Sequence, residues 1–160
     1  MSKIKPCLWF NGEAEDDARF YVSLFPDAAI GAVSRYGPGA PFAAGTALMV
    51  EFQLAGQRFQ ALNGGPNFTF STAVSLSISC KDEAEVDHYW AALTADGGAE
   101  GRCGWLKDRF GVSWQVVPEG LGVLMSDPDR ARAGRAAQAM MRMSKLDLAA
   151  MRAAADETPP

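Results

Sequence analysis

Two segments of the chain follow one pattern, and this repeat constrains the fold more than any other feature. "GQRFQALNGG" occupies residues 56–65 and "GVSWQVVPEG" occupies residues 111–120. Each begins Gly-x-x-aromatic-Gln-x-aliphatic, which places Gln60 and Gln115 at equivalent positions. A chain that writes the same strand twice is predicted to contain two copies of one supersecondary unit.

The repeat extends to the segments before these strands. Residues 13–25 and 82–93 carry apolar side chains at helical spacing and are predicted to form amphipathic helices. The apolar faces are Ala14, Ala18, Tyr21 and Phe25 in the first helix, and Val86, Tyr89, Trp90 and Leu93 in the second. His88 points away from the second face, so we expect it to be solvated. Apolar runs at 4–10 and 73–80 precede the helices and are predicted to be strands.

The second of these apolar runs alternates between apolar residues and serine. Its predicted dry side is Val74, Leu76 and Ile78, and its polar side is Ser75, Ser77 and Ser79. Further strands follow each helix, predicted at 28–36, 46–54 and 58–63 in the first half and at 100–107 and 112–118 in the second. Ala55 and Gly56 are predicted to make a tight turn. Each half therefore reads as a βαβββ module.

The last forty residues carry a different pattern. A helix is predicted within 126–143, with Asp127 as its N-cap and Pro128 at its first position. Its apolar face is Ala133, Ala136, Ala137, Met140 and Met141. Ser144 and Asp147 predict a capping box for a final helix. This tail either packs on the sheet or uses its methionine face to dock a second subunit.

Composition excludes several function classes. The chain has 160 residues, a net charge of -4 and no basic stripe, so no nucleic-acid partner is predicted. No apolar run reaches the length of a membrane span, and the N-terminus does not read as a signal peptide, so we expect no membrane partner and a cytoplasmic location. Three widely spaced cysteines predict buried, inert thiols rather than disulfides.

Four segments together resemble the PhnB-like family of the vicinal-oxygen-chelate superfamily, which includes glyoxalases, extradiol dioxygenases and bleomycin-resistance proteins. They are "CLWFNGEAEDDARFYVSLFP", "VEFQLAGQRFQALNGGP", "CGWLKDRFGVSWQVVP" and "SDPDRARAGRAAQAMMRMSKLD". The resemblance implies an α+β fold of two βαβββ modules forming a half-open barrel, with C-terminal helices, and a homodimer. We therefore predict one domain over 1–160, with modules at 3–66 and 72–118 and a helical extension at 119–160.

Members of this family are often described as demethylubiquinone methyltransferases, but the residues do not favour that activity. A methyltransferase needs a site for a sulfonium nucleoside, usually a Gly-rich turn between a strand and a helix. The candidate here, Gly37-Pro38-Gly39, precedes a predicted strand, so we expect a hairpin loop.

The resemblance also implies where a metal would bind in enzymatic relatives, which take ligands from the first and last strands of each module. The family's final-strand motif is Asp-x-x-Gly, three residues, then a glutamate ligand; here Asp108 and Gly111 are followed by Gln115. Gln60 is its counterpart in the first module. The first strands offer only Pro6 or Cys7, and Ser75 or Ser77. Hard cations prefer carboxylates, and softer ones imidazole or thiolate, so we predict no metal and no cofactor.

We predict instead a cleft that binds an unidentified small molecule. Its candidate residues are Gln60, Gln115, Trp9, Asn63, Trp105, Phe70 and Cys7. Alternation points both glutamines into one interior and turns Phe59 and Trp114 towards the helices. Three alternatives stay open: the tryptophans only fill the core, the two glutamines only satisfy each other, and the Gly64-Gly65 turn is either an anion nest or a simple exit from the strand.

Three function classes follow from these residues. The first is a metal-free small-molecule binding module. The second is a metal-dependent lyase, isomerase or dioxygenase with unusual ligands. The third is a thiol enzyme that uses Cys7 or Cys103, which would need a nearby base, and no histidine is placed to supply one.

Overall fold

The computed structural model describes residues 3–157 and contains two compact units that divide between Phe70 and Ser71. The first unit is one βαβββ module. Its elements are β1 (Cys7–Phe10), α1 (Ala14–Leu24), β2 (Ala28–Arg35), β3 (Ala47–Leu54) and β4 (Gln57–Asn63).

The second unit repeats the module and adds the tail. Its module is β5 (Leu76–Cys80), α2 (Glu83–Thr94), β6 (Ala99–Glu100), β7 (Trp105–Lys107) and β8 (Ser113–Pro118). Its tail is α3 (Leu121–Met125), α4 (Arg130–Met140) and α5 (Leu148–Asp156). The predicted α+β class, with two βαβββ modules and C-terminal helices, is confirmed; the single domain stays a prediction.

Each module forms a four-stranded sheet of the same topology. The strand orders are β1-β4-β3-β2 and β5-β8-β7-β6, with the first and last strands of each module parallel and the other pairs antiparallel. Ala55 and Gly56 both have positive φ, 44° and 82°, so the predicted tight turn joins β3 to β4. In these strand orders the strand that carries the repeated glutamine, β4 in the first sheet and β8 in the second, lies between two other strands.

One helix covers one face of each sheet, as the apolar spacing predicts. In α1 the side chains of Ala14, Ala18 and Tyr21 are buried, and the Tyr21 ring lies 6.3 Å from that of Phe52. Phe25 is an exception, because α1 ends at Leu24 and Phe25 is its C-cap. The predicted apolar face of α2 is confirmed at all four positions, and His88 is exposed.

Two strand predictions in the second unit are wrong. Residues 100–107 form β6 and β7 rather than one strand, because Cys103 and Gly104 adopt positive φ of 57° and 81° and turn the chain. Val74 precedes β5 and is 74% exposed, so it does not belong to the dry side of that strand.

The tail helices begin later than the sequence pattern predicts. Asp129, not Asp127, caps α4, accepting the amides of Ala131 and Arg132. Asp147, not Ser144, caps α5. Each helix start has two possible capping residues close together in sequence. Residue spacing alone does not decide at which of them the helix begins.

The tail packs mainly on itself. Its buried residues are Leu124, Ala136, Leu146, Met151 and Ala155. Met140 packs against this cluster, whereas Met141 lies beyond the helix and is 62% exposed, so the predicted methionine face is divided.

The link between α4 and α5 fastens the tail to the second module. The amides of Cys103 and Gly104 donate to the carbonyls of Met143 and Ser144 at 2.9 and 2.8 Å. Lys145 forms an ion pair with Asp87 on α2. The extension is therefore anchored to both the β6–β7 turn and α2. None of the helices within residues 3–157 combines the length and apolar character needed to cross a bilayer.

Candidate functional site

Three candidate residues of the first module, Cys7, Trp9 and Gln60, lie on the face of its sheet opposite α1, which we call the polar face. The candidates Asn63 and Phe70 do not lie on this face. Along β4, Phe59, Ala61 and Asn63 are buried on the α1 side, while Gln60 and Leu62 are half-buried on the other. β8 repeats this pattern with buried Trp114 and half-buried Gln115. The predicted orientation of each glutamine against its aromatic neighbour is confirmed.

Strand register shows which side chains stand beside each glutamine. In the first module Cys7 on β1 and Glu51 on β3 flank Gln60. In the second module Ser77 on β5 and Trp105 on β7 flank Gln115. The first-strand positions that the sequence left open are therefore Cys7 and Ser77, and each module carries one row of three side chains across its sheet.

Glu51 is the residue that sequence reasoning missed. Gln60 Nε2 donates to Glu51 Oε1 at 3.3 Å, and Lys5 Nζ forms an ion pair with the same oxygen at 2.9 Å. The hydrogen bond from Lys5, with that from Gln60, lowers the pKa of the Glu51 carboxyl below its usual value. An acid between Val50 and Phe52, both buried, was the available signal, since alternation places it on the polar face.

A cavity of about 230 Å³ opens beside this row in the first unit. Its lining residues are Lys5, Ala29, Ile30, Gly31, Glu51, Phe52, Gln53, Arg58 and Phe59. The register of β2 against β3 shifts between Ile30 and Val33, and a bulge of this kind re-aims a strand. A Cβ at Gly31 would lie 3.2 Å from the Glu51 carbonyl oxygen, so glycine lets the bulge approach β3 closely.

The second row is uncharged. Gln115 Nε2 donates to Ser75 Oγ at 3.0 Å, and Trp105 is half-buried beside Gln115. Each glutamine therefore donates to a side chain of its own module. Ser113, two residues before Gln115, is buried, and its hydroxyl oxygen makes no hydrogen bond.

Asp108 of the family motif organises the turn into β8. Its Oδ1 accepts the amides of Phe110 and Val112, and its Oδ2 accepts Trp114 Nε1 at 2.8 Å. The Gly111 amide closes the turn on the Asp108 carbonyl at 3.0 Å. This part of the motif thus shapes the strand that presents Gln115.

Trp9 lies on the polar face, paired with Leu62 across the β1–β4 ladder. Its Nε1 donates to the Gly65 carbonyl at 2.8 Å, and its ring meets the exposed Phe68 edge-on at 4.9 Å. The amides of Gly64 and Gly65 both point to the Phe10 carbonyl, at 3.0 and 3.3 Å. Because both amides already donate to a carbonyl oxygen, they do not form an anion nest. The Gly64-Gly65 turn leads the chain out of β4.

Asn63 and Phe70 hold the fold around the site. Asn63 is fully buried; its Oδ1 accepts the amides of Gly12 and Ala14, and its Nδ2 donates to the Ala47 carbonyl at 2.9 Å. Asn63 thereby caps α1, whose own N-cap residue makes no such bond. Phe70 packs against Phe10 at 5.3 Å.

The cysteines differ in exposure. Cys7 is exposed, and desolvation raises the pKa of its thiol. Cys80 is buried, and burial, followed by the charge of Glu85, raises the pKa of its thiol to about 11. Half-buried Cys103 donates from Sγ to the Met140 carbonyl at 3.6 Å. A raised pKa leaves less thiolate at neutral pH, the reverse of what a nucleophilic cysteine needs.

The resemblance implies two groups that this chain could hold, a divalent metal and a sulfonium nucleoside. Among residues 3–157 no three or more His, Cys, Asp or Glu side chains gather as a metal site would require. Gly37-Pro38-Gly39 lies in the β2–β3 hairpin, closed by the bond from the Tyr36 amide to the Thr46 carbonyl, and a strand follows it. The donor set does not fit a divalent metal, and this loop does not fit a nucleoside cofactor site.

Comparison with known proteins gives one family. A family model described as 3-demethylubiquinone-9 3-methyltransferase matches residues 2–117. A PhnB protein from Bacillus cereus is 36% identical with a TM-score of 0.68, covering 73% of this chain and 99% of that chain. No curated protein matches the sequence.

Two further solved structures are similar at lower identity. Protein PA1353 from Pseudomonas aeruginosa is 22% identical with a TM-score of 0.61, covering 74% of this chain and 98% of that chain. A glyoxalase/bleomycin resistance protein from Albidiferax ferrireducens T118 is 18% identical with a TM-score of 0.48, covering 74% and 99%. The family match ends at residue 117, so α3, α4 and α5 lie beyond it.

Proposed function

The chain belongs to the PhnB-like family of the glyoxalase/bleomycin-resistance superfamily, and on that premise we propose that it is a small-molecule binding protein that works without a metal. The ligand lies on the polar face of the first module, in the cavity beside the Cys7–Gln60–Glu51 row. The observation that carries this proposal is that Glu51 both flanks Gln60 and lines the cavity.

Several properties of the row support binding. Lys5 and Glu51 line the cavity and offer opposite charges, and Gln60, beside Glu51, offers an acceptor and donors. Trp9 provides an apolar ring on the same face, two residues along β1 from Cys7. Polar groups that converge on a concave, partly apolar surface are typical of small-molecule sites. The cavity, at about 230 Å³, is slightly smaller than drug-sized pockets, so the ligand is small.

One observation favours the alternative of a metal-dependent lyase, isomerase or dioxygenase. Glu51 supplies a carboxylate next to Gln60, on the side of β4 opposite Cys7, which the sequence pattern had not placed there. Against it, the carboxylate is engaged by Lys5, and a cation would have to displace that ammonium group. We therefore rank this alternative second.

The family's methyltransferase description is not carried to this chain. Its cofactor, a sulfonium nucleoside, would need a nucleoside-binding turn at the start of a helix, and the predicted candidate, Gly37-Pro38-Gly39, is a hairpin loop between two strands. The homodimer and the cytoplasmic location stay predictions; light scattering of the purified protein checks the first.

The test uses a neutral probe on metal-free protein. The purified chain is analysed for Ni, Zn, Mn and Fe, stripped with a chelator, and titrated with 2-naphthamide while the amide signals of residues 29–31 and the Gln60 side chain are followed by NMR. We expect substoichiometric metal and shifts confined to these residues. Ala29→Leu, which narrows the cavity without changing charge, should abolish the shifts.

Two outcomes would refute this function. Stoichiometric metal that is lost in Gln60→Ala would favour the metal-dependent alternative. Probe-induced shifts that persist unchanged in Ala29→Leu, or that are absent in the wild type with both 2-naphthamide and a charged analogue of the same shape, would show that the cavity is not a binding site.

A further inference from the structure

The side chains that line the cavity carry a net positive charge, whereas the chain as a whole is negative. The cavity lining contains two cations, Lys5 and Arg58, and one carboxylate, Glu51, which leaves one net positive charge. The chain as a whole carries a net charge of -4. A positive concavity on an acidic protein attracts and holds anions.

The three charges are arranged unequally. Lys5 is committed to Glu51 at 2.9 Å, and the Lys5 side chain is only 29% exposed. Arg58 lies two residues before Gln60 on β4, opposite Gln53, and is exposed. Because Arg58 lines the cavity and is exposed, its guanidinium can be reached by an anion that enters from solvent, while the Lys5–Glu51 pair forms one wall of the cavity.

The remaining wall is apolar and small. Ala29 and Ile30 of β2 line the cavity next to the bulge, and Gly31 contributes no side chain. A ligand that fills this space therefore needs an apolar body against β2 and a charged group directed at β4. Since Glu51 repels a second negative charge, a monoanion fits better than a phosphate dianion.

We propose that the ligand of this cavity is a small organic carboxylate, with its carboxylate on Arg58 and Lys5 and its apolar body against Ala29 and Ile30. This inference rests on the proposed function of the same site and names its ligand class. Charge-assisted hydrogen bonds from guanidinium to carboxylate supply the selectivity over a neutral ligand of the same shape.

The test compares two probes of one shape. 2-Naphthoate and 2-naphthamide differ only in that a carboxylate replaces a neutral amide, and both are titrated into the metal-free chain with NMR detection at residues 29–31. We expect 2-naphthoate to bind roughly tenfold more tightly, as a charge-assisted bond predicts. Arg58→Met should bring the two dissociation constants together, with its NMR spectrum confirming that the fold is intact.

Arg19→Met is the matched control. Arg19 is an exposed cation of the same unit, but it lies on α1, on the other side of the sheet. Its loss should leave the tenfold preference unchanged. Lys5→Met should weaken 2-naphthoate binding as well, because an unpaired Glu51 then faces the carboxylate.

The outcomes separate the ligand class from the function. Equal binding of both probes at residues 29–31 would overturn the carboxylate assignment and leave the binding function intact. A preference for 2-naphthoate that survives Arg58→Met and Lys5→Met would also overturn it. If neither probe shifts these signals, both the assignment and the binding function fail.

Discussion

The indole ring of Trp9 occupies the space where a side chain at Gly64 would lie. A Cβ built on Gly64 would come within 2.2 Å of the ring, closer than two non-bonded carbon atoms can approach. Gly64 is therefore required for close packing rather than for backbone freedom, whereas Gly65, with a φ of 102°, is required for its conformation. Both glycines fix Trp9 on the polar face.

Gly64→Ala should displace Trp9 and destabilise the chain. We expect a loss of about 1–3 kcal/mol in the free energy of unfolding, typical of forced overpacking. Urea unfolding and the tryptophan emission spectrum measure the two effects. Gly134→Ala is the control: a Cβ built there would meet nothing within 4 Å beyond its chain neighbours and the backbone of its own helix, and alanine in the middle of α4 should stabilise slightly. Equal stability of the two variants would contradict this packing.

Asn63→Ala should reduce stability without acting through a ligand. It leaves the Gly12 and Ala14 amides and the Ala47 carbonyl without their partner, which costs about 1–3 kcal/mol for each buried group left unsatisfied. Chemical denaturation measures the loss. Asn67→Ala, an exposed neighbour, should change stability little. A variant as stable as the wild type would show that Asn63 does not cap α1.

Glu15 should make stability depend on acidity. Hydrogen bonds from Arg35, then Arg19, lower the pKa of Glu15 from 4.5 to about 2. A lowered pKa in the folded state means that the contribution is complete above about pH 4.5 and is lost as the pH falls towards 2. Ion pairs near the surface contribute about 0.2–1 kcal/mol each.

Glu15→Gln isolates this contribution. The variant should be less stable than the wild type at pH 7, and the difference should shrink between pH 4.5 and 2 in urea titrations. Asp16→Asn, an exposed acid on the same helix, is the comparison. A difference that stays constant down to pH 2 would mean that Glu15 gains nothing from its arginines.

Thiol reactivity should rank the cysteines by exposure. With iodoacetamide at pH 8, we expect Cys7 to be alkylated first and Cys80 to be protected until the chain unfolds, since Cys80 is buried and its pKa is raised to about 11. Mass spectrometry of digested samples gives the order. Cys7→Ser should remove the first phase only. Early modification of Cys80 would contradict its burial.

The sequence predicts the duplicated modules well because their signal is local. Apolar spacing in α2 and alternation in β4 depend on one element each, and both are confirmed. The role of Asn63 escaped prediction because its partners, at residues 12, 14 and 47, are distant in sequence.

The same reasoning explains what was missed at the site. Glu51 becomes visible only when register pairs it with Gln60, and register is a property of two strands. At the start of both α4 and α5 the sequence offers two possible capping residues. The pattern predicts the earlier one, whereas the later one caps the helix. The cavity depends on a bulge in β2, for which the isolated glycine Gly31 was the available sequence signal.

The unequal partners of the two glutamines bear on how such a chain can diversify. Gln60 stands between a thiol and an acid, while Gln115 stands between a hydroxyl and an indole. Because the chain contains two equivalent rows, one row can keep its charged side chain while the other is uncharged and more apolar. A substitution in one row can therefore change the polarity of that sheet's face while the other sheet keeps its own contacts.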